Sequence, residues 1–287
     1  MIIKTEAELN VARMFCNEPF HYFSISEIAE KAGISRTWTY RVLEKFRKFN
    51  MLIEERKSYR FDFSNIICKR LKLFFDSEFI LSSKLREKIV SVADRIIYEC
   101  KPVSVVLVGS VAAGKERETS DIDFLVISGK REVPFFRENV NVVLMNMNDF
   151  EKKYLKGDDF VVSSLSFGKI IYDEECFIKF YEKPLPVFSN EVIQEKIDYC
   201  RNLRNRIVHL TRSDMDSARE ELINLALQCA RIILLRNRVV PPTKHEIAGF
   251  VRKYNSDIAR VLDDLMKNKK IDRKKIVEYL RVCEEII

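Results

Sequence analysis

From Ser24 to Phe49 the apolar residues fall on two helical stripes separated by a turn. Ile25, Ile28, Ala29 and Ala32 recur at helical spacing between Ser24, a helix-capping residue, and Gly33, suited to the left-handed position that ends a helix. Ile34 leads into Ser35, a second capping residue, and a helix to about Phe49 with Val42, Leu43 and Phe46 on its inner face. Residues 51–63 alternate as a β-hairpin does. Leu71, Leu73, Phe74, Phe75, Phe79 and Ile80 form the packing face of a connecting helix. Val103–Val108, introduced by Pro102, is an almost unbroken apolar run, the pattern of a strand buried on both faces. Two further strands are expected at 121–127 and 139–146. After Lys183-Pro184-Leu185-Pro186 a helical period returns at Val192, Ile193, Ile197, Cys200, Leu203 and Ile207, and again at Leu222, Leu225, Ala226, Cys229 and Ile233. A bundle of about four antiparallel helices packs these stripes most economically. The pattern predicts an α/β plus α chain in four segments: helix, turn, helix and hairpin at 1–65, connecting helices at 66–100, a mixed sheet with helices at 101–183, and the helical bundle at 187–287.

Composition narrows this picture without changing it. The chain has 287 residues, 47% of them hydrophobic and 32% charged, so it can build real cores and is not disordered. Seven glycines are too few for a glycine-rich β-sandwich or a flexible linker protein. Seven scattered cysteines, with no CxxC pair, read as reduced thiols. No apolar run reaches the roughly 18 residues that cross a bilayer, and the first ten residues become charged too early for a secretory signal. A cytoplasmic chain without membrane contact is expected.

Charge is distributed unevenly. The formal excess of +7 is concentrated at residues 31–60, with 9 basic and 3 acidic side chains, and from residue 186 onward, with 20 against 15. Residues 101–185 carry 12 against 14. On the second helix Arg36, Thr37, Thr39, Tyr40 and Arg41 are the positions expected to face outward, a set suited to phosphates and base edges, while Trp38 is placed in the core. Lys57 and Arg60 belong to the basic tip of the hairpin. Together these residues resemble a winged helix-turn-helix, with Asn50 at the place where that family often has glycine. The resemblance implies DNA as a partner, and palindromic sites would make a homodimer reasonable.

The acidic centre carries the chemistry. Gly109-Ser110 follows the buried strand directly, and Asp121-Ile122-Asp123 comes ten residues after Ser110. Side chains two apart on a strand point the same way, so Asp121 and Asp123 can hold a divalent ion together. Gly109 lets the backbone approach closely, and a helix starting at Ser110 offers N–H groups to a phosphate. This is a site for a metal-bound triphosphate. Strand, Gly-Ser, ten residues and Asp-x-Asp resemble the minimal nucleotidyltransferases of the DNA-polymerase-beta-like superfamily, a likeness that spans about residues 90–182 and includes Phe167–Asp173. It implies Mg²⁺ or Mn²⁺, an NTP, and catalytic roles for Asp121, Asp123 and Ser110, with Gly109 and Ser110 binding nucleotide. The family's third carboxylate falls at or near Asn141. An amide brings no charge and cannot act as a general base. Glu138 and Asp149 are the carboxylates that could substitute.

In the carboxy-terminal segment, Arg204-Asn205-Arg206-Ile207-Val208-His209 resembles the Rx4H motif of HEPN domains, and Pro241–His245 looks like that family too. The likeness implies metal-independent RNA cleavage by Arg204, Asn205 and His209. Five positions on a straight helix put Arg204 and His209 about 140° apart, so they converge only if the helix ends near Val208 or a second protomer completes the site. Thr211 stands where the toxin version carries tyrosine. Three functions follow: transfer of a nucleoside monophosphate to an RNA or protein hydroxyl coupled to DNA binding, a nucleotide-sensing DNA-binding regulator, and an RNase.

Overall fold

The computed structural model describes residues 3–115, 120–130, 132–136, 139–241, 243–244, 246–267 and 271–287. The chain divides into two compact units, one of Met1–Glu151 with Ser164–Leu185 and one of Lys152–Ser163 with Pro186–Ile287.

The first unit opens with α1 (Glu6–Asn17), a helix absent from the sequence-based expectation, capped reciprocally by Thr5 and Glu8. The two-residue strand β1 (Phe23–Ser24) leads into α2 (Ile25–Ala32), which has a second capping box, Ser24 with Glu27, and ends on Gly33 at φ 66°. Ser35 caps α3 (Arg36–Lys48). Asn50, at φ 53°, turns the chain into β2 (Leu52–Glu55) and β3 (Ser58–Phe61), and the three strands pair antiparallel in the order β1-β3-β2. Phe15, Phe23, Phe46, Phe61 and Phe63 fill the space between sheet and helices, with successive ring centroids 4.8–6.3 Å apart.

Two helices follow, α4 (Ile66–Ser82) and α5 (Arg86–Cys100). Phe75 is buried in α4, but Phe74 is 54% exposed and not part of the packing face. The second sheet contains β4 (Ser104–Val108), β5 (Ile122–Ile127), β6 (Val140–Met145) and β7 (Lys169–Asp173), in the order β6-β5-β4-β7. β4 pairs antiparallel with β5 and β7, while β6 runs parallel to β5. Every residue of β4 is buried, as its apolar run requires. Between β4 and β5 lies the single-turn helix α6 (Gly109–Ala112). The helices α7 (Met147–Lys156) and α8 (Asp159–Phe167) separate β6 from β7.

A buried charge cluster fastens β7. Lys72 and Asp76, one turn apart on α4, are 2% and 0% exposed and paired at 2.5 Å. Asp76 also accepts the Ile170 backbone N–H at 2.9 Å. The neighbouring Lys169 ammonium donates to Asn17 Oδ1 at 3.2 Å and lies 4.9 Å from the Phe79 ring centre. Burial, reinforced by Lys72, pushes the Lys169 pKa down to about 8.

The second unit is helical: α9 (Asn190–Leu210), α10 (Met215–Arg236), α11 (Ile247–Val251), α12 (Ser256–Lys267) and α13 (Arg273–Glu284). Its core contains Leu203, Ile207, Leu222, Leu225, Ala226, Leu262 and Leu280. Asp214 caps α10, and buried Asp159 at the start of α8 pairs with Lys196 and Arg231. All seven cysteines are free thiols, Cys176 alone only partly buried. Among the described residues, no helix is long and apolar enough to cross a membrane.

The Lys169 shift has a thermodynamic consequence. Between pH 8 and the unfolded value of about 10.4, the unfolded chain binds more protons at this group than the folded one, so its contribution to stability rises with pH. A Lys169→Met variant is expected to be more stable than the parent at pH 7.5 by about 1–3 kcal/mol, with the gap closing toward pH 10.5. Denaturant titrations of both proteins across that range check it; parallel stability curves would refute it.

Candidate nucleotide site and candidate DNA-facing surface

The second sheet brings the acidic motif together through register. Val108 pairs with Asp123 across β4 and β5, and Asp123 pairs with Asn141 across β5 and β6. The Asp123 side chain therefore stands between the end of β4 and the start of β6. Asn141 Nδ2 donates to Asp123 Oδ1 at 2.9 Å. On the other side is Gly109, whose φ of 74° few other residues adopt. A Cβ built there would overlap Asp123 Oδ2, so glycine is required on both conformational and steric grounds. Asp123 and Ser110 are half-buried, whereas Gly109, Asp121 and Asn141 are exposed. The α6 turn closes with Lys115 N–H bonded to Ser110 O at 2.9 Å.

This donor set fits one kind of metal complex. Among the described residues, no three His, Cys, Asp or Glu side chains cluster to hold an ion. Mg²⁺ needs no such cage, because it keeps several waters and takes one or two carboxylates together with substrate phosphates. Asp123 on β5 and Asp121, one residue before that strand, are the carboxylates here that could take such an ion. Asn146 caps the first turn of α7, accepting the Asp149 N–H at Oδ1 and donating from Nδ2 to the Asp149 carboxylate. Glu138 lies outside the described residues.

The geometry corresponds to what sequence comparison finds. Residues 86–187 match the nucleotidyltransferase domain family. Among solved structures the chain is similar to a nucleotidyltransferase-like protein from Exiguobacterium sibiricum, at 14% identity and a TM-score of 0.40, covering 69% of this chain and 74% of that one. It is also similar to the RV2827C protein from Mycobacterium tuberculosis, at 13% identity and a TM-score of 0.19, covering 97% and 82%. Both likenesses are too distant to bear on function. No curated protein matches the chain.

In the amino-terminal part of the first unit, the basic residues divide by whether a carboxylate meets them. Lys31 pairs with Glu18, Lys45 with Glu8, and Arg47 with Glu44 and Glu54. Among the described residues, Arg36, Arg41, Lys48, Arg56 and Lys57 have no such partner. Arg36, Thr37, Tyr40 and Arg41 are exposed on α3. Two expected positions are corrected. Thr39 is fully buried, because it continues the Val42, Leu43 and Phe46 stripe, and its hydroxyl donates to Ser35 O at 3.1 Å. Arg60 is only 9% exposed, because β3 is the central strand; its guanidinium lies 5.3 Å from the Tyr22 ring centre, with Nε and Nη1 enclosed and unbonded. Trp38, expected in the core, is 47% exposed. Arg56 and Lys57, at φ 49° and 64°, form the two-residue tip between β2 and β3. Such tips favour Asn-Gly, because left-handed backbone costs other residues about 1–2 kcal/mol each.

The RNase constellation is not assembled within this chain. α9 continues past Val208 to Leu210, which leaves Arg204 and His209 on different faces of one helix. Arg204 Nε donates to Glu284 at 2.7 Å and its Nη1 to Asn205 Oδ1 at 3.2 Å, while His209 is exposed. Pro242 and His245 of the second HEPN-like stretch lie outside the described residues.

Replacing Asn141 with aspartate tests the site electrostatically. Asn141→Asp exchanges a donor for a second carboxylate beside Asp123, and like charges at that distance oppose ionisation. The variant is expected to be about 1–3 kcal/mol less stable than the parent in EDTA, and to recover much of that in millimolar Mg²⁺, which leaves the parent nearly unchanged. Thermal melts with and without the cation check this; a loss that Mg²⁺ does not reverse would count against a cation at these carboxylates.

Proposed function

We propose that the nucleotidyltransferase domain binds an NTP with Mg²⁺ (or Mn²⁺) and transfers its nucleoside monophosphate to a hydroxyl of an RNA or protein acceptor, the α–β phosphoanhydride bond breaking and pyrophosphate leaving. In the same reading, residues 1–65 are a winged helix-turn-helix that binds DNA. The observation that carries the catalytic half is the packing of Gly109 against the Asp123 carboxylate. Glycine stands where any side chain would displace the acid, as expected of a carboxylate that must stay in one place. Asp121 and Asp123 are the residues that would hold the ion, which when bound offsets the negative charge of the phosphates. Gly109 and Ser110 seat the phosphates through backbone N–H groups and the serine hydroxyl. Asn141 keeps Asp123 oriented but has no basic oxygen, so the acceptor's proton passes to an aspartate or to water.

The DNA-binding half is supported by the unpaired cations of α3 and the hairpin tip. Placing Arg56 and Lys57 in left-handed backbone costs stability that an Asn-Gly turn would not, which is understandable if the two cations meet phosphates. Two copies would meet a palindromic site. One observation favours a second reading: the Asn141 amide on Asp123 suits a domain that senses nucleotide without transferring it.

Labelled NTPs, Mg²⁺ and RNA or protein acceptors separate the two. Incorporation that depends on the cation and falls to background in Asp121→Asn and Asp123→Asn is the expected result; nucleotide binding without incorporation would replace transfer with sensing. For the hairpin, the Arg56→Asn, Lys57→Gly double variant is expected to gain about 1–2 kcal/mol of stability and to lower the slope of log affinity against log salt for duplex DNA by about 2. An unchanged slope would remove the tip from the interface.

A further inference from the structure

Trp38 is the chain's only tryptophan, and it stands half in solvent on the first turn of α3. Its backbone N–H donates to Ser35 Oγ at 3.2 Å, so the helix cap holds the residue while its side chain is 47% exposed. One turn later, the Arg41 guanidinium lies over the indole, 5.4 Å from the ring centre. Arg41 has no ion pair or hydrogen bond among the described residues, in contrast to Arg47 further along the helix, which two carboxylates hold. A cation–π contact with the ring occupies none of the guanidinium's hydrogen-bond donors. The N–H fork along its edge stays available for a planar, bidentate acceptor.

We propose that Trp38 and Arg41 act as one reading unit for a guanine with a neighbouring thymine in the major groove of duplex DNA. Guanine offers O6 and N7, two acceptors spaced for the guanidinium fork, whereas adenine presents an amino donor at the same place. The thymine methyl is the one apolar group on the major-groove edge, and the exposed indole is the apolar surface beside Arg41 that can cover it. Trp38 thus acts as a positioning residue for Arg41 and a methyl-contacting residue in its own right. Tyr40 and Arg36 flank the pair on the exposed side of the same helix. The inference rests on the DNA-binding reading above and adds to it which bases are read and by what.

The experiment selects bound duplexes from a randomised pool with the full chain, then measures affinities for the selected site and its variants by gel shift, and also by Trp38 fluorescence for the proteins that keep Trp38. The parent is expected to lose about tenfold or more when the guanine becomes adenine. Arg41→Ala and Trp38→Ala should both erase that ratio, and Trp38→Phe, which keeps an aromatic face, should retain most of it. Replacing the thymine with uracil removes only the methyl; it should weaken the parent severalfold and leave Trp38→Ala unaffected. Because Trp38 is exposed, these variants should melt with the parent, which a thermal scan verifies. A guanine preference that survives in Trp38→Ala overturns the paired unit while leaving DNA binding intact, as does binding without base preference. Failure of the parent to bind any duplex overturns the DNA-binding reading as well.

Discussion

A carboxylate taken out of water must find both a cation and hydrogen-bond donors, and Asp76 finds both at one place. Its ion pair with Lys72 lies along α4, and the Ile170 N–H it accepts belongs to β7. Losing Lys72 would leave the Asp76 charge uncompensated, a change that typically costs about 3–5 kcal/mol. The helix and the strand are therefore bound to a single arrangement, and β7 in turn pairs with β4, whose end carries Gly109. Asn17 of α1 reaches the same cluster through Lys169, so the helix that packs against the amino-terminal sheet meets the central sheet at a polar contact, where an apolar one would permit sliding.

The two charged regions of the first unit follow opposite rules. Around α3, carboxylates meet Lys31, Lys45 and Arg47, while among the described residues none meets Arg36, Arg41, Lys48 or the hairpin tip. At the acidic centre, carboxylate charge is kept half in solvent and steadied by an amide. Burying it as Asp76 is buried would place it beyond the reach of a solvated ion. A site that must exchange its ligand needs carboxylates that are ordered and still wet. Asp123 meets the first condition through Gly109 and Asn141 and the second through its place at the sheet's end.

Much of this was legible from residue order wherever a local rule governed the outcome. Ser24 and Ser35 cap helices, Gly33 and Asn50 take left-handed backbone, and the apolar run before Gly109 is a buried central strand, because each depends on neighbours within a turn or a strand. The spacing from Ser110 to Asp123 likewise agrees with the match of residues 86–187 to the nucleotidyltransferase domain family. Thr39 was misplaced although its own helix held the signal, three and four residues before Val42 and Leu43. Arg60 and Trp38 depended on tertiary facts, since a residue beside a hairpin tip is enclosed only if its strand becomes the middle one. The Lys72–Asp76 pair had a signal in its spacing, charges four apart within an apolar helix, but nothing local says that β7 arrives to cover it.

The order of strands in the central sheet also has a consequence for synthesis. β4 is wholly buried and needs neighbours on both edges, yet β7 begins only at Lys169, some sixty residues after β4 has been made. The intervening chain includes residues 152–163, which belong to the second unit. A nascent chain on the ribosome must therefore carry β4 with one edge open while it translates part of a different compact unit. During that interval the open edge is a template for any passing strand. The acidic centre cannot be finished as an early, self-sufficient module, and a shortened product ending before Lys169 would be expected to aggregate rather than act.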